Sequence, residues 1–574
     1  MTISTGIRFR SGTLRRLMLV MCAATAACTG AGDASSGSGG SSGSGGSGSG
    51  GASTGGSNGS GGRTASGGSG SGGATGSGGA TGSGGASSTG SGGSGSGGAS
   101  STGSGGSGSG SGGASTGGSN GSGGRTGSGG AVGSGGASGG RAGSSSGGSV
   151  GTGGAGNVGG SSGDCTITAT STMGTIPTVG IVTYTTDFTG VTTGEIDFGP
   201  TGGATTTVMK APIDTTQTTP KTLLLGMKGG KSYTYRIVLK SGSGSCTSAD
   251  YTFMTGAVPS SVTKPTVTIS NATAHDKGFI ITSGGLTGTL TEILDADGEV
   301  VWWATGPGSN SRSHMSWDGS RMYMMSLNVQ NSGSGKIISL GMDGSGSMTA
   351  TGVAASHHDL TAIPGGFATP MWNKSGTDAP CSLVEFADGT WKTTTVIADM
   401  SSVYNSSTFH TNAVHYYASD DTYTLGDRNP SLYVKVSRAG ALIWQFGGSN
   451  PKDATKSFSG VTTWMVNHGH HLLADGTFLF FNNNANEAWG YKLNTTNMTA
   501  TKTFMYTASG ATSNVLGDVQ GLPNGNILVT FSTSAQIHEV PASGGTAVMK
   551  ITTATSAGYG YAEFRESLYG PPPY

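Results

Sequence analysis

The chain has 574 residues, no net charge and a charged fraction of 10%, so no electrostatic footprint for nucleic acid exists, and no basic run with interleaved aromatics supplies a local one. Its 113 glycines are concentrated upstream: from Gly30 to Gly163 the sequence is almost only Gly, Ser, Ala and Thr, charged at Asp33, Arg63, Arg125 and Arg141. Such a polymer has no apolar surface with which to offset its ordering entropy, which excludes a folded domain there.

In chain order, the first element is an export signal. Arg8, Arg10, Arg15 and Arg16 precede the short apolar run Leu17–Ala27, which ends in small residues. Thr25-Ala26-Ala27-Cys28 resembles a bacterial lipoprotein processing box, with Thr25 where the pattern prefers Leu. Residues 1–27 are thus expected to be a signal peptide and Cys28 a lipidation site, with an ordinary cleaved signal as the alternative. The protein is expected to be exported and lipid-anchored to the cell envelope, at the periplasm or the outer membrane surface. Residues 28–163 read as a disordered Gly/Ser-rich tether, roughly 60–70 Å from end to end as a random coil. The block TGGSNGSGGRT recurs at Thr54–Thr64 and Thr116–Thr126, a sign of tract duplication. No later stretch is long and apolar enough to span a bilayer.

Residues 164–262 read as a small β-sandwich of the immunoglobulin or fibronectin type. Short β-rich runs such as ITATST, VGIVTYTT, KTLLLGM and SYTYRIVLK are separated by turn residues at hairpin spacing. In the last run Tyr233, Tyr235, Ile237 and Leu239 share one face. Cys165 and Cys246 are expected to pair across this domain, in keeping with an oxidising compartment; Cys381 is left over as a buried thiol.

Residues 263–574 repeat a turn-plus-strand unit, seen at Asp297-Gly298, Asp318-Gly319, Asp343-Gly344, Asp388-Gly389, Asp475-Gly476 and Asn524-Gly525. Helical periodicity is nearly absent. A spacing of about 40–50 residues gives roughly six blades, so an all-β fold with a six-bladed β-propeller is expected. A long sandwich or a β-solenoid is the alternative.

Three polar clusters fall at strand ends of different repeats, where a propeller places its central site. The first is His357-His358-Asp359. Neighbouring strand residues point to opposite faces, so only one of the two histidines is expected to face a site. The second is Phe409-His410-Thr411-Asn412, with Arg428 one hairpin later. The third is Asn467-His468-Gly469-His470-His471, in which alternation places His468 and His470 on one face.

This ordered set resembles the bacterial arylsulfotransferase family, which moves a sulfuryl group between phenols without a nucleotide sulfate donor. The matching segments are His357-His358-Asp359; His410-Thr411-Asn412, then Arg428 and Trp444-Gln445-Phe446-Gly447; Asn467-His468, then Phe481-Asn482-Asn483; Leu522-Pro523-Asn524-Gly525-Asn526; and Phe564-Arg565 with Tyr569. They hold their order over Val300–Tyr569. The resemblance implies a six-bladed propeller with a funnel-like central site and His468 as nucleophile, giving a sulfohistidine and ping-pong turnover. It implies His410, Arg428 and Asn412 as stabilisers of the sulfuryl oxygens. His358 or His357 would serve as acid and base towards the phenols or donate to the sulfuryl oxygens, with His358 favoured as acid and base and His357 as a substrate-binding residue. The partners implied are small phenolic sulfates and phenols, with no cofactor and no metal. Asn467 departs from the family's Gln, Asn482 from its Asp, and His470 and His471 have no counterpart; loss of a carboxylate at 482 would matter if it oriented the nucleophile.

Taken singly, His415 and His538 read as structural. Two rivals stand beside the enzyme. One is a zinc site made from His468, His470 and one of the 357–358 pair. The other is a non-catalytic, surface-tethered binding propeller. Formylglycine sulfatase chemistry is excluded, because Cys381-Ser382-Leu383 lacks the Cys-x-Pro-x-Arg run it requires.

Overall fold

The computed structural model describes residues 165–203, 208–242, 244–328, 333–374, 379–553 and 558–573. The signal peptide, Cys28 and the tether lie outside the described residues. Those residues are built from strands and two short 3-10 turns, with no α-helix among them, and none of their helices is long and apolar enough to cross a membrane.

Residues 165–254 form two antiparallel sheets. One joins Ile167–Met173, Gly180–Thr186 and Lys221–Leu224; the other joins Val191–Pro200, Met209–Pro212, Ser232–Ser241, Gly244–Thr247 and Tyr251–Met254. Alternation drives the packing: Tyr233, Tyr235, Ile237 and Leu239 all point inward against Val182, Ile196 and Phe198, while Thr234 and Arg236 between them face outward. A disulfide joins Cys165 to Cys246, 6.1 Å between Cα atoms. The strand Val191–Pro200 is among the longest here, yet its Gly and Asp content reads as turn. Gly194 leaves room in it for Leu239, whose side chain would lie 2.9 Å from a Cβ and have to shift.

Downstream lie six antiparallel sheets, the blades. Blade 1 contains Phe279–Ser283, Leu290–Leu294 and Val300–Thr305 and is completed on its inner side by Glu563–Arg565. The inner strands of blades 2 to 6 are Asn310–Met315, Thr361–Ile363, Thr411–Tyr417, Asn467–Leu472 and Asp518–Gly521. Blade 6 takes Thr266–Ile269 as its outermost strand, paired with Met549–Thr552. Both ends of this region therefore close the ring, one at the outside of blade 6 and one at the inside of blade 1. Aromatics fill the spaces between blades: Trp302, Trp444, Trp464 and Trp489 are all buried, Trp464 stacking on Phe446 at 5.2 Å.

The inner strands are irregular at their starts. Register shifts occur between Asn310 and Arg312, Thr411 and Ala413, and Asn467 and His470. In blade 3 the isolated bridge Ser356–Met371 and the pair Thr361–Ala368 leave His357 to Leu360 unpaired on one side. Each such bulge rotates side chains out of two-residue alternation. All of them lie at the same end of the axis.

Candidate active site

The bulged ends bring the sequence clusters together. The His357 ring centroid lies 4.3 Å from that of His358 and 4.5 Å from that of His410; His358 lies 5.7 Å from His468 and 6.1 Å from His410. Both members of the 357–358 pair face the site, against the expectation that only one would. The segment is not a regular strand, so alternation does not govern it: His357 donates its backbone N–H to Pro370 O while its carbonyl accepts from Asn328 N. Trp372 stacks on the His357 ring at 4.3 Å and fixes its plane.

His410 is positioned by Asp427, whose two carboxylate oxygens accept from the His410 backbone N–H at 2.9 and 3.0 Å. That carboxylate also accepts from the Tyr404 hydroxyl, and burial pushes it up to about 6. The backbone N–H of Arg428 donates to His410 O, so the two residues are tied across one hairpin. The buried Arg428 guanidinium depresses the proton affinity of all four imidazoles, His357, His358, His410 and His468. Asn412 donates from Nδ2 to Asn467 O at 2.7 Å, joining blades 4 and 5, and its Oδ1 is buried with no partner among the described residues.

His468 has a defined tautomer. Its Nδ1 lies 2.7 Å from Asn483 Oδ1, and Asn483 Nδ2 donates to Ser513 O and Leu516 O at 2.7 and 2.6 Å. Two carbonyl acceptors fix which end of the amide is which, so Asn483 Oδ1 accepts and His468 Nδ1 carries the proton. The lone pair is then on Nε2, which is buried and has no partner among the described residues. The carbonyl of His468 accepts from the Tyr433 hydroxyl at 2.9 Å. Gly469 is obligatory, since a Cβ would sit 1.9 Å from Asp518 Oδ1.

Below the imidazoles lies a charged hub. Arg312, fully buried, donates from Nε to Asp359 Oδ1 at 2.7 Å and from Nη1 to Asp518 Oδ2 at 3.2 Å and covers the Tyr561 ring at 4.5 Å. Asp359 Oδ2 accepts from Val414 N, so blades 2, 3, 4 and 6 are pinned at the axis. Burial pushes Asp518 up to about 7 and also raises Asp359, partly opposed by Arg312. The Tyr561 hydroxyl donates to Asn412 O at 2.9 Å and lies 3.4 Å from His358 Nδ1. Having given its proton to a carbonyl, it accepts from His358, which leaves the His358 lone pair on Nε2 as well.

Burial drives every imidazole of the group towards the neutral form. His357, His358 and His410 are held well below 6.5, and His468 falls to about 3 even though Asn483 opposes the shift. At neutral pH the group presents bare nitrogen lone pairs beside one guanidinium.

His470 and His471 belong elsewhere, which corrects the shared face of His468 and His470. The bulge between Asn467 and His470 breaks the alternation, so His470 turns to Thr424 Oγ1 at 2.7 Å and to the ring of His415 at 5.1 Å. His471 Nδ1 accepts from Gly521 N. The zinc set of His468 with His470 is therefore not assembled. Asn482 is likewise not the orienting group: it pairs with Asn467 and Glu487 along the sheet, and Asn483 holds the nucleophile candidate. His538 contacts Tyr506 and Gln536, far along blade 6. Sequence reasoning missed Asn483, Tyr561, Trp372 and the Arg312 hub. Asn483 alone had a signal, as the second Asn of a strand already matched.

Residues 384–554 match the family model described as arylsulfotransferase (ASST), a span that includes His410, Arg428 and His468 and begins after His357 and His358. A search of curated proteins found no match. Among solved structures, the chain is similar to TolB from Acinetobacter baumannii (TM-score 0.35, 8% identity, 59% of this chain and 80% of that one). It is also similar to the Cps50 (Swd1) β-propeller domain of Myceliophteria thermophila (0.33, 10%, 51% and 90%) and to a Bacteroides thetaiotaomicron protein of unknown function (0.31, 12%, 68% and 98%). The ordered motifs and the matched span agree on one conclusion: residues 384–554 of this chain are similar to the arylsulfotransferase family, which supports an aryl sulfotransferase activity in the general sense.

Proposed function

We propose that the protein transfers a sulfuryl group from a phenolic sulfate ester to a phenolic acceptor by a ping-pong reaction through His468. The observation that carries this reading is the His468 imidazole, held by Asn483 so that an unpartnered Nε2 lone pair lies among three further imidazoles and a guanidinium. Nε2 attacks sulfur, the sulfur–oxygen bond to the aryl group breaks, and the phenolate leaves with the bonding pair. The product is N-sulfohistidine. In the second half an acceptor phenol gives its proton to a base, its oxygen attacks the same sulfur, and the nitrogen–sulfur bond breaks, restoring the lone pair.

His358 is the residue best suited to be that base, because its own Nε2 lone pair is fixed by Tyr561. The sulfuryl oxygens carry one negative charge in the donor. Arg428 supplies the matching cation, His410 and Asn412 lie beside it, and His357 adds an N–H. Neutral imidazoles suit the nucleophile and the base, but they store no proton for the leaving group. Donors with acidic phenols, which depart as phenolate, are therefore preferred.

The test uses 4-nitrophenyl sulfate with added phenol. Release of nitrophenolate that depends on phenol, and a sulfonated peptide containing His468 after donor alone, are the expected results. Release equally fast without phenol, or with His468→Asn, would refute the assignment. We further propose lipid anchoring at Cys28 outside the cytoplasm, a setting in which the Cys165–Cys246 disulfide can persist. Palmitate labelling that survives in Cys28→Ser would reject the anchor.

A further inference from the structure

We propose that His357, His358 and His410 form a binding site for a divalent cation of the zinc class, and that a metal seated there blocks sulfuryl transfer. The binding half stands on geometry alone; the inhibitory half rests on the function proposed above.

One nitrogen of each of the three side chains lies within 4.8 Å of the others, and all three side chains are buried. Zinc–imidazole bonds of about 2.0–2.1 Å in a tetrahedral site put ligand nitrogens roughly 3.3 Å apart, so closure needs ring rotations of little more than an ångström. The ligand set is three imidazoles with a fourth position open. Nitrogen ligands without carboxylates favour zinc, cobalt, nickel or copper over magnesium or calcium.

Hydrogen-bond accounting points the same way. Both ring nitrogens of His357 and Nε2 of His358 and His410 have no partner among the described residues. A neutral imidazole carries one N–H and one lone pair, so His357 must bury a bare lone pair whichever tautomer it adopts. The His358 Nε2 lone pair is fixed by the Tyr561 contact. A sulfuryl anion can satisfy N–H groups and the guanidinium, but it cannot satisfy lone pairs; a cation can. A buried polar group left unmatched is destabilising. Of the three rings, His358 has its other nitrogen held by Tyr561, as metal-binding imidazoles usually have; Trp372 stacks on His357, and Asp427 holds the His410 backbone.

The Arg428 guanidinium opposes a bare dication at this point. It also selects the fourth ligand, since an anion placed between metal and guanidinium offsets both charges. The site is thus expected to take zinc together with a small anion. His470 also buries an unpartnered ring nitrogen, Nδ1, but among the described residues only His357, His358 and His410 bring three such ligand atoms together.

The experiment titrates the full chain, stripped by chelator, with cobalt(II) and zinc chloride in the presence and absence of sodium sulfate. The expected result is one ion per chain, with the intense visible bands of four-coordinate cobalt, bound more tightly with sulfate. His357→Gln should weaken zinc binding by more than about 100-fold, beyond what loss of an outer partner does. It should also abolish the zinc-induced rise in melting temperature, measured on a variant shown by circular dichroism to be folded. His471→Gln should keep both. A cobalt spectrum identical to the aqueous ion, or binding lost in His471→Gln but kept in His357→Gln, would overturn the site. Activity is read separately: the metal-free enzyme should turn over and zinc should stop it. A metal-free enzyme without turnover would count against the sulfuryl-transfer reading alone, whereas tight zinc binding with full turnover would reject the inhibitory half.

Discussion

Two groups of buried histidines share the axis of one propeller, and they differ in what their nitrogens touch. His357, His358, His410 and His468 sit at the bulged starts of the inner strands, under the influence of Arg428. His415, His470 and His471 sit farther along the same strands, nearer a cavity of about 750 Å³ lined by His471, Tyr417, Lys435 and Trp444. Burial lowers the proton affinity of both groups, His468 and His470 alike to about 3. Depressed basicity therefore does not separate a reactive imidazole from a structural one. The separation comes from which ring nitrogen is engaged and from which cation is near. His468 spends Nδ1 on Asn483 and keeps Nε2 without a partner among the described residues, near Arg428, whereas His470 spends Nε2 on Thr424 and keeps Nδ1, nearer the ion-paired Arg312.

Truncating one member of each group should give the largest difference. His468→Asn should lower phenol-dependent turnover by at least about 10³-fold, as loss of a covalent nucleophile does. His470→Asn should leave turnover within about tenfold and act on stability through the lost Thr424 contact. Equal losses in a 4-nitrophenyl sulfate assay would erase the distinction. Next in size is Arg428→Gln. Removing the guanidinium takes away the charge that matches the sulfuryl oxygens and should cost about 10²–10³ in kcat/KM. Because Arg428 also suppresses protonation of its neighbours, the four imidazoles should titrate at higher pH in this variant, which carbon-13 or nitrogen-15 imidazole shifts would report.

Smaller still is Asn483→Ala, expected to cost about 10–100-fold, the usual effect of losing a partner that orients a reactive imidazole. Its signature is specific. The tautomer of His468 becomes free to switch, so kcat should fall more than KM rises. This substitution also sharpens a point that the sequence obscured. Of the two neighbouring asparagines, the position matched to the family's carboxylate is 482, but the strand places 483 beside the imidazole.

The comparison also predicts pH dependence. A histidine buried neutral has its folded value below its unfolded one, so the unfolded chain binds more protons between the two, and stability falls as pH drops through that window. For His468 and His470 the window runs from 6.5 down to about 3, and for His471 to about 4. Asp518 and Asp427, raised to about 7 and 6, act in the opposite sense, losing stability as pH rises towards those values. Histidines outnumber them, so the melting temperature should drop steeply from pH 6.5 to 4. Over pH 6 to 8, kcat/KM should show no inflection near 6.5 from the nucleophile. A histidine-like inflection there would mean that His468 is not buried as described.

Much of this was legible before any coordinates. His410, Arg428 and His468 could be picked out because ordered motifs constrain three distant segments at once, and the blades could be read from repeated turn chemistry. What failed was side-chain direction. Two-residue alternation assumed regular strands, and the inner strands are bulged where the histidines gather, so His357 joined His358 while His470 left His468. The Arg312–Asp518 contact spans 206 residues and leaves no local pattern. The strand Val191–Pro200 was hidden by turn-forming residues that tertiary packing overrides.

The smallest effect expected is at Val466, directly before the strand that carries His468. Its φ of 58° is left-handed, a region that β-branched side chains seldom enter and that costs about 1–3 kcal/mol. The carbonyl of Val466 accepts from Asn483 N, the residue that holds the His468 imidazole, so the strained turn is clamped to the histidine group. The other histidine group has no such device: His415 lies within a strand and His470 and His471 follow the bulge, all in extended backbone. Val466→Gly removes the steric cost but gives the unfolded chain more freedom, so stability should change by no more than about 1 kcal/mol. If the strain serves only the turn, turnover is unchanged. If it serves to press Asn483 against His468, kcat should fall severalfold at constant melting temperature. A parallel fall in both quantities would instead show that Val466 acts through packing.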